Sequence, residues 1–127
     1  MASKLRKRKA ALAYLAKLQR SVENDISTFR YFVTLACDDK TYRLDCHDVP
    51  AARLEHHARV AVRSRNAFAV YLVFGITTPT GGKTIAIHME HPEVEMLAMA
   101  EVEKPGQLGP WTTHIGTDAS PVFRLLK

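Results

Sequence analysis

The chain has 127 residues, 46% hydrophobic and 24% charged, which describes one ordinary globular domain and excludes disordered, fibrous and membrane-spanning classes. Its formal charge of +5 is unevenly placed: residues 1–20 hold Lys4, Arg6, Lys7, Arg8, Lys9, Lys17 and Arg20 with no acid, while the rest carries eleven basic against thirteen acidic residues, a net of −2. A basic segment on a nearly neutral body favours polyanions: nucleic acid, an acidic membrane surface or an acidic protein.

Residues 4–26 read as a helix. Leu5, Leu12, Leu15, Val22 and Ile26 fall at helical spacings on one stripe, and Ala10, Ala11, Ala13 and Ala16 add propensity. Arg6 to Lys9 should fray or stand free, because cations at a helix N-terminus oppose the macrodipole. The apolar stretch 10–16 is too short for a secretory signal, so a cytoplasmic protein is expected. Residues 28–37 then alternate, with Phe29, Tyr31, Val33 and Leu35 on one face and Arg30 and Thr34 on the other. Residues 41–49 continue with Tyr42, Leu44 and Cys46 inward, which makes a β-hairpin. A turn centred on Asp39 and Lys40 would set Cys37 opposite Tyr42 and Cys46 opposite Val33. The sulfurs then lie about 13 Å apart along the ladder, too far for a disulfide. Asp48 offers a cap, with Pro50 in the first turn, for a second helix running to about Arg65. Its outer side carries Arg53, His56, His57 and Arg63, and Glu55 is placed to pair with Arg59.

Residues 67–74 form the most strand-like run, and Gly75 suggests a bulge or a close approach. Residues 79–82 turn the chain, and 83–90 return as a strand with Ile85, Ile87 and Met89 inward. Residues 93–103 have helix-favouring composition. Yet Val94, Met96, Ala98, Ala100 and Val102 alternate with glutamates, which reads as strand. A loop over 104–110 precedes a last strand over 111–115. The fold class is therefore α+β: an N-terminal amphipathic helix, a β-hairpin, a second helix, then an antiparallel β-meander. Residues 1–9 read as a basic N-terminal extension and 10–127 as a single domain. This order resembles that of cone-shaped α+β rolls of the nuclear-transport-factor type, in which a curved sheet wraps a helix.

Three motifs invite a chemical reading. Thr77 to Thr84 comes close to a phosphate-binding loop, but Thr77 stands where the first glycine is needed, and Lys83 opens a strand where that loop needs a helix. The six histidines, His47, His56, His57, His88, His91 and His114, match no metalloprotease or deaminase spacing and read as scattered surface residues. His47, His88 and Glu90 would converge only on an open sheet face. Phe32, Tyr71 and Trp111 would stack bases if the sheet had an open face, although strand aromatics more often belong to the core.

The sequence thus reads as a non-enzymatic binding protein engaging nucleic acid or a nucleoprotein complex, in one variant as an inhibitor of a nucleic-acid-processing machine. Lys4, Arg6, Lys7, Arg8, Lys9, Lys17 and Arg20 would contact phosphates, and no metal, cofactor or catalytic residue is expected. One alternative is a structural protein, a homodimer formed through the N-terminal helix. Another is a small enzyme with a pocket in a curved roll, using His88, Glu90 or Asp45 as acid and base.

Overall fold

A computed structural model describes residues 2–26, 31–46, 48–104, 106–115 and 125–126; residues 27–30 and His47, included in the readings above, lie outside them. A 3₁₀ turn, Ala2–Arg6, leads into helix α1, Arg8–Asn24. The hairpin β1 (Phe32–Ala36) and β2 (Thr41–Asp45) is followed by a second 3₁₀ turn, Ala51–Arg53, and helix α2, Leu54–Arg65. Strands β3 (Ala69–Thr77), β4 (Lys83–Glu90) and β5 (Glu95–Lys104) come next, then the short β6 (Gln107–Leu108) and β7 (Thr112–Ile115). All pairings are antiparallel in the order β2-β1-β3-β4-β5, and β6 and β7 share the far edge of β5. The α+β class and the order of the helices and main strands are those expected, including the strand assignment of residues 95–104, while the expected loop over 104–110 contains the short β6.

Alternate residues of a strand face opposite ways, and here each face meets a different helix. Val33, Leu35, Val70, Leu72 and Phe74 pack with Leu54, Ala58 and Val62 of α2. Phe32, Tyr71, Val73, Ile87 and Met89 pack with Leu15, Leu18 and Val22 of α1. The sheet is the middle of three layers, where a cone-shaped roll would wrap it around a helix. This explains why β1 is buried at all five positions. Thr34, expected to face solvent, is 2% exposed because α1's side of the sheet is covered too.

Local details differ from expectation in three places. Leu35 pairs with Tyr42, and the Cys37 N–H bonds the Lys40 carbonyl at 3.1 Å, so the turn is centred on Asp38 and Asp39. That puts Cys46 opposite Tyr31, six residues or about 20 Å along the ladder from Cys37. Both cysteines are free and buried, as that separation requires. α2 begins later than Asp48 and Pro50 implied: Arg53, after the 3₁₀ turn, occupies its cap position and makes no side-chain cap bond. It ends as expected near Arg65, with Asn66 in the left-handed conformation (φ 52°, ψ 48°) and paired bonds from Asn66 and Ala67 to the Arg63 and Val62 carbonyls. Gly75 makes no bulge, since β3 and β4 pair without interruption from Val70 to Thr77. The Tyr31 hydroxyl instead donates to the Gly75 carbonyl at 3.0 Å. The register shift lies between Val102 and Lys104 on β5.

Candidate functional site

The basic N-terminal segment is built onto the body. Leu5 is buried with Ala36, Ala69 and Phe68. Its carbonyl accepts a hydrogen bond from His91 Nε2 at 2.6 Å, and His91 Nδ1 accepts the Glu93 N–H at 3.1 Å. Because an amide can only donate, Nδ1 is unprotonated, the proton sits on Nε2, and the buried ring is fully bonded. The Glu93 side chain in turn accepts the Arg8 N–H at 3.0 Å through Oε2. α1 has no acid in its first turn, and Lys7 at its cap position makes no side-chain bond. The β4–β5 turn therefore supplies the cap that the helix's own sequence lacks.

Arg6 is engaged as well, contrary to a segment that stands free. Its Nε lies 3.0 Å from Asp38 Oδ1, and its guanidinium sits 4.3 Å from the Phe68 ring centre. The other six cations of the predicted set, Lys4, Lys7, Arg8, Lys9, Lys17 and Arg20, are exposed, and none forms an ion pair among the described residues. At 100° per residue, Lys9, Ala13, Lys17 and Arg20 fall within a sector of about 80°, opposite buried Ala11, Leu15, Leu18 and Val22. Their axial rise puts Lys17 about 12 Å and Arg20 about 16 Å beyond Lys9. The stripe stops at Glu23, whose carboxylate accepts the Trp111 indole N–H at 2.7 Å.

The other candidate residues do not assemble into a site. His88 and Glu90 lie on the α2 side of β4 and are 4% and 3% exposed, so they are not surface residues. Glu90 accepts His88 Nε2 at 2.9 Å, the Leu125 N–H at 2.7 Å and the Leu126 N–H at 3.1 Å. Burial pushes the Glu90 carboxyl up, but the bonds from His88, Leu126 and Leu125 outweigh it and hold its pKa below the ordinary value. These contacts join β4 to the C-terminal residues and leave the carboxylate no open side. His91, on the other face, is 4% exposed, so two of the six histidines were misread as surface residues. His56, His57 and His114 are exposed, and Asp45 sits outward on the β2 edge, away from His88. No group of three or more histidine, cysteine, aspartate or glutamate side chains is placed to hold a metal among the described residues.

Thr77 to Thr84 spans the β3–β4 hairpin, whose turn lies between the paired Thr77 and Lys83. Gly81 has φ 89°, the Gly81 N–H bonds the Thr78 carbonyl, and Lys83 opens β4. Phe32 and Tyr71 are 4% and 0% exposed beneath α1, so they stack no ligand. An open groove of about 750 Å³ lies beyond the end of α1 and is lined by Ile26, Tyr31, Ile76, Lys83, Ile85 and Val102. It brings no acid–base pair or nucleophile together.

The signal for the histidine clamp was long-range: Leu5 and His91 are 86 positions apart, and nothing in local spacing links them. No helix among the described residues is long and apolar enough to cross a membrane. No protein family, curated protein or solved structure matches the chain.

Proposed function

We propose that the protein is a non-enzymatic nucleic-acid-binding module that grips phosphates with Lys4, Lys7, Arg8, Lys9, Lys17 and Arg20. One observation carries the reading: six cations point outward from the 3₁₀ turn and α1, with no ion pair among the described residues. The cations nearest the N-terminus oppose the helix macrodipole, so local helix stability does not account for their placement. α2 also bears arginines: Arg59 lies 3.5 Å from Glu55, Arg65 is exposed with its guanidinium over the Tyr42 ring, and Arg63 on the helix and Arg53 at its cap position are exposed as well. A dimer built on α1 is less well supported, because the apolar stripe of that helix packs on the chain's own sheet. The bonds of His88 and Glu90 run inside the chain, which weighs against an acid–base role.

The test neutralises charge and keeps the segment, because Leu5, Arg6 and Arg8 tie it to the body. Lys7, Lys9, Lys17 and Arg20 are replaced together by glutamine, and binding to labelled nucleic acid is followed by anisotropy. The native chain should bind at low salt, and the variant should lose most of that affinity with an unchanged melting temperature. A native chain that binds neither duplex nor single strand at low salt would end this reading.

A further inference from the structure

We infer that the ligand of this face is duplex nucleic acid, gripped by its two backbones with α1 seated across the major groove. The inference rests on the nucleic-acid reading above and names the form of nucleic acid that the face fits. Along the outward side of α1 the exposed cations form two groups: Lys9 with Lys7 at the cap position, and Lys17 and Arg20 about 12–16 Å beyond Lys9. The major groove of a B-form duplex is about 12 Å wide, so two such groups reach phosphates on its opposite rims.

What lies between the groups fits the same geometry. Ala13 is the exposed residue midway between Lys9 and Lys17 on that sector. Its methyl group lets the helix approach the groove closely, and it has no polar atom with which to read a base. Recognition is then of backbone shape and charge, with little sequence preference. A single strand is commonly held by stacking its bases on exposed aromatic rings. Here Phe32 and Tyr71 lie beneath α1, the Trp111 indole bonds Glu23, and the exposed large hydrophobics among the described residues are Val60, Ile76 and Ile115.

The experiment compares a labelled random-sequence duplex of about 20 base pairs with its isolated strand, between 50 and 200 mM salt. The native chain should bind the duplex at least tenfold more tightly than the strand. Lys7→Ala with Lys9→Ala, and separately Lys17→Ala with Arg20→Ala, should each make the duplex salt slope shallower by about 1.8, at about 0.9 per phosphate. Ala13→Leu, at an exposed position and a good helix former, should lower duplex affinity about fivefold at an unchanged melting temperature. Equal or tighter binding of the single strand overturns the inference while leaving nucleic-acid binding standing. A slope change confined to one of the two double variants also overturns it, as does native duplex affinity in Ala13→Leu. Binding of neither ligand defeats the underlying reading itself.

Discussion

Glu90→Gln should destabilise the fold by about 2–4 kcal/mol at neutral pH, a figure that follows from how the carboxylate is used. Both oxygens accept: Oε2 from His88 Nε2 and the Leu125 N–H, Oε1 from the Leu126 N–H. An amide has one oxygen and one donor group, so at least one donor is left facing an NH₂. If the NH₂ replaces Oε2, the buried Leu125 N–H faces a second donor and cannot accept. A buried donor without a partner costs about 1–3 kcal/mol, and exchanging charge-assisted bonds for neutral ones adds about 1 kcal/mol. Urea unfolding followed by circular dichroism measures the difference. The pH dependence provides a second check. The Glu90 carboxyl titrates below its ordinary value of 4.5 in the fold. Its contribution is therefore complete above the unfolded pKa and is lost as pH falls through the lower folded one. The gap between native chain and variant should be constant above about pH 5.5 and shrink in acid. A loss under about 1 kcal/mol at pH 7, or a gap that widens in acid, would refute the account of Glu90 as the anchor of the C-terminal residues.

Three further outcomes follow from the packing. Leu15→Ala, in the α1–sheet layer at 3% exposure, should cost about 2–5 kcal/mol in urea unfolding, whereas a solvent-facing leucine would cost little. His91→Ala removes the donor to Leu5 and the acceptor for the Glu93 N–H, so the amides of residues 4–9 should exchange faster while those of β3 hold their protection. Thiol titration without reductant should count two groups after denaturation and almost none before it. Burial pushes both thiols up, with Asp39 adding to the effect at Cys37 and Asp45 at Cys46.

Elements set by local period were legible in the sequence. The alternation of Val94 to Val102 outweighed helix-favouring composition and marked β5, and the α1 stripe was readable from Leu15 and Val22. What stayed hidden depended on partners far along the chain. Thr34 and Phe32 looked outward because a strand's pattern cannot reveal that a helix 10 to 20 residues earlier covers its second face. The hairpin register slipped because Asp38, Asp39 and Lys40 are all plausible turn residues, and the choice is made by the packing of β1 on β3. His88 and His91 looked like surface groups because their partners, Glu90 with the C-terminal amides and the Leu5 carbonyl, meet them only in the folded chain. All seven cations of the candidate site are exposed, and Arg6 differs from the rest only in being engaged. Asp38 and Phe68, which hold it, are 32 and 62 positions away.

The salt dependence of binding to a labelled duplex tests the central claim most directly. If Lys7, Lys9, Lys17, Arg20 and one of Lys4 or Arg8 each neutralise a phosphate, log affinity should fall against log salt with a slope of about −4.5. Replacing the first four by glutamine should flatten it to about −0.9 with the melting temperature unchanged. A slope that stays steep in that variant would place the binding charges elsewhere on the molecule and contradict the account.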